Sequence, residues 1–342
     1  ALWILNLNSL RCFRNRRFPN IYIIQDMTQI RILKRRLRRA IKNPKLVLKL
    51  VLIKILYFVS PFFIYIFYMK LLFPLKTGSK LDLDNPQTYN EKLQWLKIHF
   101  RKPEFTRMVD KFEVKEYARQ IIGDEYIIKN YGVWDSFAEI EFDDLPRQFV
   151  LKTTHDSGSI IIVKDKAKFN KKEAKKKLEK CLKRKFFYLA REWPYKDVKP
   201  RILAEEFLYD GEKTPPADYK FYCFHGEPRV MLIATERGPG TTKFNYYDMN
   251  LNLMNLMLSG PQSKKKLDMP KELSKMIKLS RMLSAELPHV RVDFYEIKGK
   301  VFLGELTFFD SGGMASFYPP RWDHVWGSWI DLEGLMTNGQ DG

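Results

Sequence analysis

The spacing of apolar and polar residues changes character twice along this chain. Residues 46–73, LVLKLVLIKILYFVSPFFIYIFYMKLLF, are apolar almost throughout, with Lys49, Lys54 and Lys70 as the only charges. Their uncharged run Ile55–Met69 spans 15 residues. As a helix that is about 22 Å, short of the ~30 Å hydrocarbon core of a bilayer. Pro61 interrupts it as well. From Leu81 onward helix and strand signals alternate. Thr88-Tyr-Asn-Glu91 predicts a capping box that opens an amphipathic helix through EKLQWLKIHF. Glu104 to Ile121 predicts a second helix, stopped by Gly123. QFVLKTT (148–154) and IIIV (160–163) predict two strands around the loop HDSGS, and Asn170 caps a basic helix running to Ala190. Strands are predicted at RILAEEFL (201–208), DYKFYCF (218–224) and PRVMLIAT (228–235), the last two joined by a tight turn at His225-Gly-Glu-Pro. A helix over Lys271–Glu286 follows, then VRVDFYE and VFLGELTFF hinged at Lys298-Gly299. Early helices and late antiparallel hairpins predict α+β layers, not a doubly wound parallel sheet.

Charge sharpens the division. The net charge is +20, yet residues 1–80 hold 17 Lys and Arg against one acid, Asp26, and residues 81–342 net only +4. The basicity belongs to the N-terminal segment, so a nucleic-acid-binding fold with a basic working face is not expected. Residues 31–45 carry eight basic side chains and no acid, directly before the apolar stretch. Three readings compete there: a surface anchor on an anionic membrane, a helix buried against the main domain, and a true span. No small-residue cleavage site follows, which disfavours a signal peptide. Met27 opens the more protein-like part of the sequence, and a start at that residue is an alternative. Cys12, Cys181 and Cys223 are too few and scattered for a disulfide framework, and no two histidines stand at i, i+4. A reducing, cytoplasmic setting follows, peripheral at the inner face of the membrane if the segment anchors. The boundaries expected are 1–75 for this segment, 76–147, 148–210 and 211–342.

Two places suggest chemistry. In HDSGS, directly after Lys152, backbone N–H groups of a Gly/Ser loop can approach phosphate oxygens beside an ammonium. No Gly-Lys-Ser/Thr follows, so this is not a Walker loop. In the last hairpin Arg291 and Asp293 share one strand face, as do Glu305 and Thr307 on the next strand. An odd turn, Ile297-Lys298-Gly299, puts Asp293 and Glu305 on the same face as an oxygen site for Mg²⁺. A two-residue turn, Lys298-Gly299, puts them on opposite faces. Asp82-Leu-Asp84 matches the Asp-x-Asp of many glycosyltransferases, but before Asn85-Pro86 it reads as a turn. Trp322, Trp326 and Trp329 read as core, and the helix 171–185 as a solvated face.

The segments NPQTYNEKLQWLK, VDKFEVKEYARQIIGDEYIIKNYGVW, QFVLKTTHDSGSIIIVKD, RILAEEFL, DYKFYCFHGEPRV, RVDFYEIKGKVFLGELTFFDSGG and PPRWDHVWGSW, in that order over about 68–332, resemble the TupA-like ATP-grasp family of cell-surface polysaccharide gene clusters. The resemblance implies an ATP-grasp-like α+β fold and an ATP- and Mg²⁺-dependent carboxylate–amine ligase. It implies Lys111 and Lys152 as the nucleotide lysines and Asp156, Ser157, Gly158 and Ser159 as the phosphate-covering loop. Glu205 is similar to the hinge acid that meets the adenine amino group, with the backbone of Phe207 and Leu208 along the adenine edge. Lys220, Arg237 and Arg291 resemble the residues on the γ-phosphate or acyl-phosphate. Asp293 and Glu305 look like the magnesium carboxylates, with Thr307 where many such ligases have Asn. The implied partners are a small-molecule or polymer carboxylate and an amine. The rival expectations are a glycosyltransferase and a non-catalytic membrane-bound binding module.

Overall fold

A computed structural model describes residues 43–337 apart from 210, 212–215, 239 and 259. The expectations for residues 1–42, including the start at Met27 and most of the basic run 31–45, lie outside the described residues. The chain divides into two compact units, one up to Pro61 and one from Phe62 on. In the first, Asn43 caps helix α1 (Pro44–Val59), its Oδ1 accepting from the Leu46 amide at 3.1 Å.

The second unit opens with α2 (Tyr65–Thr77), which ends on Gly78 at φ 87°. Tyr68, Met69, Leu72 and Phe73 are buried, and the Tyr68 hydroxyl donates to the Leu189 carbonyl at 3.0 Å. One face of the apolar stretch is therefore core, while Ile64, Phe67 and Leu71 remain exposed. No helix of the described residues is long and apolar enough to cross a membrane.

The predicted capping box forms: the Glu91 amide donates to Thr88 Oγ1 at 3.2 Å and the Thr88 amide to Glu91 Oε2 at 3.0 Å, opening α3 (Tyr89–His99). The single helix expected over 104–121 is two, α4 (Glu104–Val109) and α5 (Glu113–Ile122). Asp110 causes the break, because its Oδ1 accepts from the Phe112 amide at 2.8 Å and restarts the helix there. Helix α6 (Lys171–Leu182) ends at Leu182, not Ala190, with a separate turn at Phe187–Ala190. Helices α7 (Leu273–Ser284) and α8 (Arg321–Ser328) complete the set used below.

Among the described residues nine strands form two antiparallel sheets. The smaller has the order β1 (Asn130–Trp134), β4 (Ile202–Glu206), β2 (Phe149–Thr153), β3 (Ile161–Val163). The larger has the order β7 (Lys243–Asp248), β6 (Glu227–Thr235), β5 (Asp218–Phe224), β8 (His289–Ile297), β9 (Lys300–Thr307). Strands β1 and β7 were not anticipated from the sequence; NYGVW and KFNYYD are short and lack a clean alternation. Phe149, Leu151, Ile202 and Ala204 turn one face of the small sheet into a core with Ala174 and Leu178 of α6. On the large sheet Phe221, Val292 and Phe294 face the core that Met276, Leu279 and Leu283 of α7 also enter. The opposite face of each sheet is free to carry polar groups. Trp326 is fully buried, whereas Trp322 and Trp329 are half-buried.

His289 ties α3 to the large sheet. Its Nδ1 donates to the Cys223 carbonyl at 2.9 Å, and its Nε2 accepts from the Tyr89 hydroxyl at 2.9 Å. Burial pushes its pKa down to about 3, against a smaller upward pull from that carbonyl. The unfolded chain, with an ordinary histidine near 6.5, binds the extra proton first. The contribution to stability is thus complete above pH 6.5 and lost as the pH falls toward 3, at up to about 1.4 kcal/mol per pH unit. Urea midpoints between pH 7 and 4.5 should fall more steeply for the parent than for His289→Gln. Parallel slopes would show that this imidazole does not govern acid stability.

Candidate functional site

Register places the polar face of the large sheet. The turn between β8 and β9 is the two-residue Lys298-Gly299, at φ 51° and 75°, with Ile297 opposite Lys300. By turn parity alone Asp293 would face Gly304. A β-bulge between Asp293 and Phe294 makes Gly304 an extra residue, so Asp293 pairs with Glu305 and Arg291 with Thr307. The odd-turn expectation was wrong, yet the bulge supplies the missing residue and both carboxylates point the same way. Strand β5 extends the pattern, with Lys220 opposite Asp293 and Tyr222 opposite Arg291. Two rows therefore cross three strands: Lys220–Asp293–Glu305 and Tyr222–Arg291–Thr307.

Arg291 organises these rows. Its Nε donates to Asp293 Oδ1 at 2.7 Å and its Nη2 to Asp293 Oδ2 at 2.8 Å, Glu305 Oε1 at 3.0 Å and Thr307 Oγ1 at 3.1 Å. Its Nη1 donates to Asp310 Oδ1 at 2.6 Å, and the Tyr222 hydroxyl bonds Asp310 Oδ2. Lys220 donates to Asp293 and lies 2.7 Å from Asp218 Oδ2. Although burial opposes its charge, those two carboxylates hold the Lys220 ammonium above its ordinary range. Arg237 reaches the same Asp218 oxygen at 3.7 Å and stacks its guanidinium over Tyr295. The Glu305 side chain stays 43% open. Its depth between the sheets would raise its pKa, but Lys220 and Arg291, with Lys111 and Lys152, draw it well below the usual carboxylate range.

The small sheet faces these rows with a lysine cluster. Lys152 on β2 bonds Glu205 Oε1 at 2.6 Å, and Lys115 on α5 donates to Glu205 Oε2 at 2.9 Å. Burial would raise the Glu205 carboxyl, but the two ammonium groups hold it down. Lys111 sits in the α4–α5 break, its amide bonded to the Thr154 carbonyl at 3.1 Å and its ammonium to the Asp156 carbonyl. Inside the loop, Ser159 Oγ accepts from the Thr153 amide at 2.9 Å and Asp156 Oδ2 from Arg184 at 2.8 Å. Asp156 and Ser159 are thus spent on loop structure and buried, while Ser157 and Gly158, the latter at φ 87°, stay exposed. The β4 ladder ends at Glu206, leaving the backbone of Phe207 and Leu208 beyond it.

The loop after β9 is pinned from α3. Lys97, fully buried, donates to Gln94 Oε1 at 2.9 Å, the Ala190 carbonyl at 2.9 Å and the Gly312 carbonyl at 2.6 Å. This holds Ser311, Gly312 and Gly313, all at positive φ, and through them Asp310. Sequence reading missed Lys115, Asp218, Asp310 and Lys97. Lys115 stands one helical turn after Lys111, and Asp218 shares a strand face with Lys220, so two of the four had a positional signal. Asp82 forms the turn the sequence suggested: its Oδ1 accepts from the Asp84 and Asn85 amides at 3.0 Å each.

Among the described residues no three His, Cys, Asp or Glu side chains converge as a cation cage. Asp293 and Glu305 supply two carboxylates with the Thr307 hydroxyl beside them. That set fits Mg²⁺, which takes few protein ligands and leaves its other positions to water and phosphate oxygens. A hollow of about 570 Å³ lined by Tyr131, Arg147, Gln148, Glu206 and Phe207 lies where the chain leaves the end of β4.

A family model described as TupA-like ATPgrasp matches residues 91–331. No curated protein matches the chain. Solved structures it resembles include the D-alanine–D-alanine ligase of Bacillus anthracis complexed with ATP, at 16% identity and TM-score 0.38 over 69% of this chain and 68% of that one. Another is the Helicobacter pylori D-alanine–D-alanine ligase, at 12% identity and TM-score 0.36 over 72% and 70%. The L-amino acid ligase from Bacillus licheniformis gives 14% and 0.36 over 60% of this chain and 42% of its own.

Proposed function

The chain belongs to the TupA-like ATP-grasp family, with its ligase-type catalytic fold, and from that premise we propose an ATP-dependent carboxylate–amine ligase of capsular or other cell-surface polysaccharide biosynthesis. ATP transfers its γ-phosphoryl group to a carboxylate, giving an acyl-phosphate and ADP. An amine then attacks the acyl carbon, the bond to phosphate breaks, a proton leaves the nitrogen, and an amide and inorganic phosphate result. In this reading the carboxylate is that of a uronic acid and the amine that of an amino acid or peptide. The observation that carries the proposal is the pair of charged rows that register aligns across β5, β8 and β9, Lys220–Asp293–Glu305 and Tyr222–Arg291–Thr307.

Lys111, Lys152 and the exposed Ser157-Gly158 amides bind the ATP phosphates. Glu205, with each oxygen on a lysine, orients Lys152 and Lys115 beside an adenine edge formed by Phe207 and Leu208. Lys220, Arg237 and Arg291 take up negative charge on the transferring phosphoryl group; the carboxylates that bind them keep them in place before ATP arrives. Asp293 and Glu305, with Thr307, are the residues that would hold Mg²⁺, which would supply charge neutralisation at the phosphates.

The test is ADP release by the purified chain with ATP, Mg²⁺, uronic acids and amino acids. Release that needs both a carboxylate and an amine supports the ligase; nucleoside diphosphate from a UDP-sugar instead would make it a transferase. Lys152→Ala should weaken ATP binding by roughly 1.5–3 kcal/mol, the usual loss for a charge-assisted contact. Glu205 keeps Lys115, so the fold should survive. Undiminished ATP affinity would reduce Lys152 to a structural lysine.

The proposal also seats the protein peripherally on an anionic membrane. Supporting it are the basic excess before residue 46 and the exposed apolar side chains Leu48 and Phe58 on α1, and Phe62, Ile64 and Phe67 at α2. Deleting residues 1–45 should release much of the protein from anionic vesicles in flotation and make residual binding less salt-sensitive. Unchanged flotation would exclude the basic segment as the anchor.

A further inference from the structure

Residues 164–185 hold twelve Lys and Arg against three acids, a net of +9, while residues 81–342 as a whole net +4. Everything else in that stretch is therefore net negative, at −5, and the positive charge is concentrated in one strip. Helix α6 shows how it is laid out. Ala174, Leu178 and Cys181 bury one stripe, and Lys172, Lys176, Lys180 and Lys183 occupy the exposed remainder. Between α6 and the edge strand β3 runs a groove of about 600 Å³. Ile161, Ile162, Val163 and Phe169 give it an apolar floor, and Lys164, Lys168 and Lys177 line its rim. Two acids share that lining: Asp165 is engaged by Arg147 at 3.3 Å and by the Ala167 amide, and Glu173 stands at the α6 N-terminus.

One end of the groove meets the candidate site. Lys177 Nζ donates to the Ile160 carbonyl at 2.6 Å, and Arg184 at the far end of α6 bonds Asp156 Oδ2 and the Ser157 carbonyl. The cationic wall is thus attached to the loop proposed to cover the ATP phosphates.

We propose that this groove docks an acidic glycan, a polymer with repeated carboxylates, and leads it to the phosphate loop. The inference rests on the ligase reading for its direction of travel and names the polymeric form of that reading's carboxylate substrate. Sugar rings present apolar C–H faces, which suit the isoleucine and phenylalanine floor, and their carboxylates meet the lysine rim. Single-stranded nucleic acid would call for several aromatic platforms, and the groove holds only Phe169. A bilayer surface would call for a broad projecting apolar face, whereas Ile162 is the one exposed apolar side chain of this lining, and it stands beside Lys164, Lys168 and Lys177.

The test uses the full chain and polygalacturonate as the probe, with neutral dextran, anionic vesicles and poly(U) as the other arms, all without ATP. The triple variant Lys164→Gln/Lys168→Gln/Lys180→Gln should bind polygalacturonate about tenfold or more weakly at low salt, with a shallower salt dependence. Its ATP affinity, urea midpoint and vesicle binding should match the parent, and the triple Lys→Arg variant should retain polymer binding. In ADP-release assays the KM for polygalacturonate should rise with kcat unchanged, while the KM for monomeric galacturonate stays put. Parental affinity for polygalacturonate in the Gln variant overturns the proposal. So does a larger loss for poly(U) or vesicles, or dextran binding that equals the acidic polymer. Groove-dependent polymer binding without any ADP release would sink the ligase reading and leave the groove assignment standing; the converse separates them the other way.

Discussion

Replacing Glu305 by Gln should lower ATP-dependent turnover at least ~100-fold, the scale of losing one preorganised electrostatic stabiliser. The substitution keeps the size of the side chain and removes one negative charge. Its setting makes that charge matter: Glu305 lies directly across from Asp293, shares Arg291 with it, and is drawn to ionise by Lys220, Lys111 and Lys152. Affinity for Mg²⁺ should fall together with turnover, and raising Mg²⁺ should restore part of the rate. Asp293→Asn should behave similarly, and the double variant should be little worse than either single, because both act through one ion. Stability should fall only modestly for Glu305→Gln, because solvent at a side chain 43% exposed screens the pull of those cations, so unfolding midpoints separate a chemical defect from a folding one. If the two carboxylates are only a solvated hairpin face, turnover stays near the parent value.

The hairpin that carries this prediction also shows what the sequence could and could not disclose. Strand period two was enough to put Arg291 with Asp293 and Glu305 with Thr307. The relation between the two pairs depended on register, and register depended on a bulge at Gly304, which a lone glycine inside a strand permits but does not fix. Long elements with caps were legible: the Thr88–Glu91 box, β5 at Asp218–Phe224 and β6 at Glu227–Thr235 fall within a residue of expectation. The break at Asp110 was not, because its local turn is fixed by a long-range bond, the Lys111 amide on the Thr154 carbonyl, that leaves no mark in the surrounding residue pattern. Apolar residues 65–73 were ambiguous for a different reason. A helix apolar on all sides does not say which side is core, and tertiary contacts of Tyr68 and Phe73 decided it. Lys97 and Asp310 escaped because their partners are backbone carbonyls and residues far along the chain.

Arg291→Met should destabilise the protein by about 3–5 kcal/mol, the cost of removing one partner from a buried ionic network. Arg291 is 7% exposed and bonds three carboxylates, Asp293, Glu305 and Asp310. Without it Asp293 retains Lys220 and Asp310 retains only the Tyr222 hydroxyl, so negative charge is left buried with too few donors. Methionine fills much of the volume, which removes a cavity as the explanation for the loss. Arg291→Lys should recover part of the stability, because one ammonium keeps the charge but cannot reach Asp293 in bidentate fashion and Asp310 together. Asp310→Asn separates the roles further. It leaves the Asp293–Glu305 row intact and should cost less stability than Arg291→Met, while loosening the loop that Lys97 pins at Gly312. Urea unfolding of the three variants at pH 7 decides the matter: a loss under about 1 kcal/mol for Arg291→Met would mean that these contacts are worth no more than surface ion pairs.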